Sequence, residues 1–251
     1  MSEPSLRGLD VEAHLGDPAR KQAFVTPMFD IIAPRYDDFS RRFSFGMDVR
    51  WKRALLGALA GRVEAGASAL DIACGTGDLA FAVQRLAPGV QVRGIDVSIR
   101  MIAAAQRRAA LAGGDAPEFH VGDMASLPMP DGSQQLVTGG YALRNAPDWR
   151  AALAECARVL APGGRLATLD FYRPTNAAWR ALFLGYLRVA GELVGRAWHA
   201  HGIVYGYIAP SIAHFTSIAE FEHELARLGL AVESRATHLG GGVAWHVARK
   251  R

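Results

Sequence analysis

Short apolar runs alternate with longer amphipathic segments through the middle of the chain. Strands are predicted at residues 69–73, 90–95, 119–121, 135–138 and 165–171. Helical patterns lie between them, one capped by Ser98 and running to about Leu111, another from Trp149 to Leu160. Strands separated by helices of this length predict βαβ units in a mostly parallel sheet, with ligands at the carboxyl ends of its strands.

The two ends of the chain depart from this alternation. Residues 1–18 are polar and contain glycine and proline, which predicts a flexible lead-in. Two helical patterns follow at 19–62, and an apolar helical insertion is predicted at 172–217. Two strand-like runs flank a glycine-rich turn near the end of the chain. We therefore expect a single domain over residues 19–251.

Composition narrows the class of protein. The 251 residues are 50% hydrophobic and 21% charged, as in an ordinary soluble globular protein. Two cysteines, Cys74 and Cys156, cannot form a disulfide framework, which favours a reducing compartment. Neither a signal peptide nor an apolar run of about 20 residues is visible. We expect a cytoplasmic protein that does not cross a bilayer.

The net charge of +4 does not indicate a nucleic-acid partner. The short basic clusters Arg41-Arg42 and Arg107-Arg108 are interrupted by apolar and acidic residues, so no basic stripe forms. The chain also lacks the ligand spacing of a zinc module. A solvated arginine-rich surface is the favoured interpretation, with no metal and no nucleic acid.

A glycine-rich turn carries the most specific chemistry. The segment Asp71-Ile-Ala-Cys-Gly75-Thr-Gly77-Asp78 joins a predicted strand to a helix, and its glycines permit close approach of a ligand. Asp96 ends the next strand, where a carboxylate can hydrogen-bond both ribose hydroxyls. Asp123 ends the third strand, within expected reach of an adenine ring. These positions predict a site for an adenosine-bearing ligand.

Asp78 favours one adenosine ligand over another. The spacing Gly75-x-Gly77-x-x-Ala80 also fits a dinucleotide, but a pyrophosphate would meet the Asp78 carboxylate at the start of the helix. Like charges about 4 Å apart cost about 4 kcal/mol at an effective dielectric constant of 20. S-adenosylmethionine instead has a sulfonium and an ammonium group there. A favourable interaction of Asp78 with the helix dipole is the alternative explanation.

Further motifs resemble those of the quinol C-methyltransferases that act late in menaquinone and ubiquinone biosynthesis. The resemblance extends from about Phe29 to Lys250 and includes Phe29-Asp30-x4-Arg35-Tyr36-Asp37, Ser44-Phe45-Gly46-x4-Trp51-Lys52, Gly122-Asp123-Met124 and Leu143-Arg144-Asn145. It implies a Rossmann-like class I methyltransferase: an α/β fold with a mostly parallel sheet, flanking helices and an antiparallel C-terminal strand pair. The expected S-adenosylmethionine site comprises Asp71, Gly75, Thr76, Gly77, Asp78, Asp96, Val97, Met101, Asp123, Met124 and Gly140.

The resemblance also implies the catalytic residues. Methylation of a ring carbon requires an electron-rich ring, so the site must stabilise charge at a quinol oxygen. Arg144 and Asn145, with Tyr36, are the expected contacts of the substrate hydroxyl. A guanidinium titrates above about 12, so Arg144 is expected to act as a fixed charge and not as a base. Water or a carboxylate, first of all Asp37, would take the proton.

Departures from the family pattern leave the acceptor open. Asp48 and Val49 replace the usual His-Arg pair, and Gly140 stands where some members have a serine that contacts the cofactor. Demethylmenaquinol or a benzoquinol of the ubiquinone pathway is expected, and another small aromatic or polyketide-like acceptor is the alternative. A nicotinamide dehydrogenase and a non-catalytic binding protein are the more distant alternatives.

A prenylated quinol would bring the enzyme to a membrane. The stretch Trp179–Val189 predicts a helix with an apolar face and flanking arginines, which would lie on a bilayer surface, line a channel for the tail or pack as a core-facing lid. Peripheral membrane contact and a homodimer are the remaining partner expectations.

Overall fold

A seven-stranded sheet forms the centre of the computed structural model, which describes residues 15, 18–33, 44, 46–199 and 207–251. Its strands are β1 Ser68–Ile72, β2 Gln91–Asp96, β3 Glu118–Val121, β4 Gln134–Gly140, β5 Leu160–Phe171, β6 Leu230–His238 and β7 Val243–Lys250. They lie in the order β3-β2-β1-β4-β5-β7-β6. Strands β1 to β5 pair in parallel, whereas β7 is antiparallel to both β5 and β6. The predicted fold class is confirmed.

Helices connect the strands and cover the sheet. Their bounds are α1 Pro18–Ile32, α2 Met47–Leu59, α3 Asp78–Gln84, α4 Ile99–Ala112, α5 Trp149–Val159, α6 Ala177–His199, α7 Ile208–Ala213 and α8 Ile218–Arg227. The predicted cap of α4 is present, because the Ser98 hydroxyl accepts a hydrogen bond from the Met101 amide at 3.1 Å. Ser217 and Glu220 form a capping box at α8. Local side chains thus set where these helices begin.

The start of β5 differs from the prediction. Helix α5 ends at Val159 and the strand begins at Leu160, five residues before the predicted Arg165. The segment Pro162-Gly163-Gly164, whose composition favours a turn, lies inside this strand, where the pairing with β4 shifts register between Gln134 and Leu136. An irregular pairing therefore replaces the predicted loop between helix and strand.

Alternating side chains of the strands build apolar layers on both faces of the sheet. On β1, Leu70 and Ile72 are buried in the cluster that contains Leu153 of α5, whereas Ala69 belongs to the cluster that contains Leu55 of α2. This alternation follows from the two-residue period of a strand. Because both faces are covered, the carboxyl ends of the strands are left for ligand binding.

Helix α1 covers part of that edge of the sheet. Its buried residues Phe24 and Met28 pack with Met101 of α4 and with Tyr207, and Leu15 belongs to the same cluster. Packed structure therefore begins before residue 19, the predicted start of the domain. Residues 1–14, most of the lead-in, lie outside the described residues.

Helix α6 lies within the predicted insertion at 172–217. Its inner face buries Phe183 and Leu187 against Ala209 and Ile212 of α7. Within the described ranges of the chain, no helix has the length and apolarity to span a membrane.

Candidate active site

A cavity of about 350 Å³ lies where the strand order reverses between β1 and β4. Ligands of open α/β sheets bind at such a switch point, outside the carboxyl ends of the strands. Helices α1, α2 and α3 complete its walls. The predicted site residues that line it are Asp71, Gly75, Thr76, Asp78, Asp96, Val97, Met101, Asp123, Met124, Gly140 and Asn145.

The backbone at this point adopts conformations that L-residues rarely take. Ala73 after β1 and Tyr141 after β4 have φ values of 46° and 57°, and both line the cavity. Non-glycine residues with positive φ cluster at functional sites because the fold must impose them. Gly77 has φ 88°, and a Cβ there would lie 2.6 Å from the Phe119 ring. Gly77 thus shapes the turn by packing and is not itself a lining residue.

Asp96 holds the glycine-rich turn in place. Its Oδ2 accepts a hydrogen bond from the Gly75 amide at 2.9 Å, and its Oδ1 accepts one from the Ser98 amide at 2.8 Å. Burial raises the pKa of the carboxyl, and these two hydrogen bonds oppose the shift. Each oxygen keeps a second lone pair, so the group can still accept hydrogen bonds from two ribose hydroxyls.

Asp71 has an unsatisfied oxygen at the cavity wall. The Thr138 hydroxyl donates to its Oδ1 at 2.7 Å, while Oδ2 has no hydrogen-bond partner among the described residues. The side chain is buried, and burial raises its pKa to about 7. A buried carboxylate without a full set of partners is costly. A cationic group in the cavity would relieve this cost, which fits the sulfonium and ammonium of S-adenosylmethionine.

Asp78 forms two ion pairs that the sequence did not predict. It lines the cavity, but its Oδ1 lies 3.0 Å from Arg108 Nη1 and its Oδ2 lies 3.6 Å from Lys52 Nζ. Two cations therefore compensate the charge that we expected to face a cationic ligand. The sequence argument overlooked them because Arg108 comes 30 residues later. Asp71 is the better-placed acid for that role.

The third acidic position has the expected location. Asp123 follows β3 and lines the cavity beside Met124, and its Oδ1 accepts a hydrogen bond from the Ala125 amide at 2.9 Å. Val97 and Met101 contribute to the same side of the cavity. Apolar side chains around a fixed polar edge suit a flat adenine ring.

Arg144 is a predicted contact of the substrate hydroxyl, but it is not among the residues that line the cavity. Its Nε lies 3.4 Å from Asp170 Oδ1, its Nη1 donates to the Ser211 hydroxyl, and its guanidinium carbon lies 5.6 Å from the centre of the Phe171 ring. The Lys21 ammonium donates to the Arg144 carbonyl at 2.9 Å, and burial, reinforced by the nearby guanidinium, lowers the Lys21 pKa to about 8. Arg144 is thus a buried member of an ion pair.

Asn145 does line the cavity and is held by two partners. Its amide nitrogen donates to the Tyr141 carbonyl at 2.8 Å, and its amide oxygen accepts from the Tyr207 hydroxyl at 3.1 Å. One N–H of the amide remains for a ligand oxygen. Tyr36 and Asp37, the other predicted catalytic residues, lie outside the described residues.

Sequence reasoning missed the contribution of helix α2. Asp48, Val49, Lys52 and Leu56 of this helix line the cavity, with Val25 of α1 nearby. The replacement of the family's His-Arg pair at two of these positions was the available signal.

Among the described residues, no cluster of three or more His, Cys, Asp or Glu is arranged to hold a metal ion.

Two relatives with the same name are similar to this chain over most of its length. The chain is 37% identical over 205 residues to the demethylmenaquinone methyltransferase of Thermus thermophilus, an alignment that covers 82% of this chain and 92% of that protein. It is 30% identical over 232 residues to the enzyme of the same name from Listeria monocytogenes, covering 92% and 97% of the two chains.

A solved structure and a family model extend the comparison. The YcgJ protein of Bacillus subtilis superposes with a TM-score of 0.60 at 21% identity, covering 79% of this chain and 99% of that one, which supports the fold. The model of the ubiE/COQ5 methyltransferase family matches residues 18–250. This match spans nearly the whole chain. The protein therefore belongs to the ubiE/COQ5 methyltransferase family.

Proposed function

We propose that the protein transfers the methyl group of S-adenosylmethionine to a ring carbon of a quinol, most directly demethylmenaquinol. The observation that carries the proposal is the placement of Asp71, Asp96 and Asp123, from three successive strand ends, around one cavity. The names of the relatives from Thermus thermophilus and Listeria monocytogenes support this acceptor.

Each of these acidic residues binds a different part of S-adenosylmethionine. Asp96 accepts hydrogen bonds from the ribose hydroxyls, and the Asp123–Met124 segment contacts the adenine. Asp71 attracts the cationic methionine end, since its unsatisfied oxygen gains most from a positive neighbour. Bound S-adenosylmethionine supplies an electrophilic methyl group. Holding an acceptor carbon about 3–3.5 Å from that methyl can supply roughly 7–11 kcal/mol of the barrier.

The wall formed by α1 and α2 suits an aromatic acceptor. Val25, Phe29, Val49 and Leu56 present apolar side chains from α1 and α2 to the cavity. The remaining N–H of Asn145 donates to the acceptor oxygen, where negative charge develops as the neighbouring carbon attacks. The ring is therefore held by its apolar faces and activated at its oxygen.

Arg144 acts on this chemistry through the turn that contains it. Residues Leu143–Asn145 form a 3₁₀ turn directly after β4, and the Arg144 side chain anchors this turn to Asp170 and Ser211. We infer that Arg144 is a positioning residue for Asn145. Tyr36 remains a predicted contact of the acceptor hydroxyl, and Asp37 remains, beside water, a predicted acceptor of its proton.

The exposed face of α6 is the proposed contact with the membrane that holds a prenylated quinol. Leu182, Tyr186 and Val189 share one side of the helix and are 64%, 54% and 60% exposed. An apolar stripe with Arg188 beside it suits the interface of an anionic bilayer. Leu182→Glu should reduce sedimentation of the protein with anionic vesicles, whereas equal sedimentation of variant and wild type would contradict this contact.

Labelled methyl transfer tests the proposed reaction. The protein is incubated with methyl-labelled S-adenosylmethionine and a panel of reduced demethylnaphthoquinones, demethylbenzoquinones and other small phenols, and the labelled products are identified. We expect label on a ring carbon of a naphthoquinol. Label confined to a non-quinol acceptor, or no transfer to any of them, would overturn the proposal.

A further inference from the structure

Asp48 is an acidic residue on the acceptor side of the cavity that no motif argument assigned to the site. It lies in the first turn of α2, its residue is only 5% exposed, and it lines the cavity with the apolar residues Val49 and Leu56. An acid in a first helical turn is commonly explained by the helix dipole. That explanation suits an exposed acid, but it does not account for a buried acid at a cavity wall.

The surroundings hold this carboxylate in one orientation. The Ser44 hydroxyl donates to its Oδ1 at 3.1 Å, and its Oδ2 lies 3.3 Å from Lys52 Nζ. Lys52 also lies 3.6 Å from Asp78 Oδ2, at the start of the helix that follows the glycine-rich turn. The Asp48 carboxylate is therefore linked through one ammonium group to the donor side of the cavity.

The other acids of the cavity have different tasks. Asp96 accepts hydrogen bonds from the Gly75 and Ser98 amides, and Asp123 accepts one from the Ala125 amide. Asp78 is shared between Arg108 and Lys52. Asp71 is the penultimate residue of β1 and accepts a hydrogen bond from the Thr138 hydroxyl. Of the acids on the described walls, Asp48 alone belongs to the two N-terminal helices that carry the apolar acceptor wall.

We propose that Asp48 accepts the proton of the acceptor hydroxyl during methyl transfer, an inference that rests on the proposed function. The acceptor O–H bond breaks as its proton passes to a carboxylate oxygen, and the ring carbon forms a bond to the methyl group. The S–CH₃ bond breaks, and its electron pair stays on sulfur as a neutral thioether. The ring C–H proton then leaves to water, and Asp48 returns its proton to the acceptor oxygen.

The Asp48–Lys52 ion pair suits this proton transfer from the acceptor hydroxyl. The carboxylate oxygens keep lone pairs beyond those used by Ser44 and Lys52, so they can accept one more hydrogen bond. Lys52 compensates the carboxylate charge next to apolar side chains.

Acceptor acidity provides the decisive test. Methyl transfer by wild type and Asp48→Asn is measured over a series of naphthols whose hydroxyl pKa is lowered by halogen substituents. General-base catalysis typically contributes on the order of a hundredfold or more. We expect Asp48→Asn to lower kcat by about that factor for weakly acidic acceptors and far less for acidic ones.

Control measurements separate this role from a structural one. Asp115→Asn, an exposed acid outside the cavity, should behave as wild type. Asp48→Glu should restore part of the rate, and S-adenosylhomocysteine should bind Asp48→Asn as tightly as wild type. A rate defect of equal size for all acceptors would overturn the inference, as would wild-type kinetics in Asp48→Asn. Failure of wild type to methylate any naphthol or quinol would overturn the proposed function, and this inference with it.

Discussion

Arg144 and Asp170 form an ion pair inside the protein, with their side chains only 7% and 3% exposed. The Arg144 amide also donates to Asp170 Oδ2 at 3.1 Å, so the carboxylate contacts both the backbone and the side chain of the same residue. The pair joins the turn after β4 to the end of β5. Because the pair is buried, removing one partner should strongly lower the free energy of unfolding.

Loss of the carboxylate alone should destabilise the fold. Asp170→Asn leaves a buried guanidinium without its counter-ion, for which we expect a loss of about 3–5 kcal/mol in the free energy of unfolding. The double variant Arg144→Met/Asp170→Leu removes both charges but leaves the backbone amides of residues 144 and 171 without their acceptor, so it should recover only part of that loss. Urea unfolding of the single and double variants measures both effects. An unchanged midpoint for Asp170→Asn would contradict the buried pair.

Turnover should not recover with stability. In the double variant the turn that carries Asn145 has lost its anchor to Asp170 and Ser211, so methyl transfer should remain abolished. Arg144→Ala should likewise lose turnover while its affinity for S-adenosylmethionine stays within a few-fold of wild type. Calorimetric binding and labelled transfer on the same preparations check this. Full turnover in the double variant would rule out the positioning role.

Asp96→Ala should weaken the binding of S-adenosylmethionine. The substitution removes the proposed partner of the ribose hydroxyls and leaves the Gly75 and Ser98 amides without their acceptor. Stranded hydrogen-bonding groups cost about 1–3 kcal/mol, and we expect a loss of that size by titration calorimetry. Asp115→Ala serves as an exposed control. Equal affinity of Asp96→Ala and wild type would show that the ribose is bound elsewhere.

Asp71 should make both stability and donor binding depend on pH. Burial raises its pKa to about 7, so between about pH 4 and 7 the folded protein holds a proton that the unfolded chain releases. The ligand-free protein therefore loses stability as pH rises through that range. Lys52 favours the ionised form, whereas Asp96 opposes it.

A cationic donor favours the ionised form of Asp71, so its affinity should rise as pH increases toward 7. Near pH 6.5 binding should release protons, which calorimetry in buffers of different ionisation enthalpy can count. Asp71→Asn should abolish most of this release and should be less pH-dependent in stability. Proton uptake on binding in wild type would have the wrong sign for this account.

Gly140→Ser should be tolerated and should tighten donor binding. A Cβ at Gly140 would meet only Leu79, at an ordinary contact distance of 3.6 Å, and the position lines the cavity. A new hydroxyl that hydrogen-bonds the donor adds about 0.5–1.5 kcal/mol, a few-fold in affinity. Thermal unfolding and calorimetry check the two parts. Weaker binding by a variant of unchanged stability would show that Gly140 is needed for close approach.

Much of the fold could be predicted because its signals are local. Ser98 caps α4 as its type and position indicate, and strand β1 lies within one residue of its predicted bounds. The predicted start of β5 was wrong because Pro162 and Gly163 indicate a turn, whereas Leu160 already pairs with Gln134 of β4 across a register shift.

The site was harder to predict because its contacts join distant parts of the chain. Asp78 was assigned to the donor without knowledge that Arg108 and Lys52 pack beside it. Arg144 was expected to face the cavity because nothing in the Leu143–Asn145 motif shows its pairing with Asp170, 26 residues later. The motif thus gives the position of Arg144 along the chain, whereas packing determines which groups its guanidinium contacts.

The structure of a complex with S-adenosylhomocysteine tests the central claim most directly, because the ligand would report which strand ends bind the donor. The account predicts the ribose hydroxyls on Asp96, the adenine beside Asp123 and Met124, and the amino group toward Asp71. Density for the ligand away from these three carboxylates would contradict it.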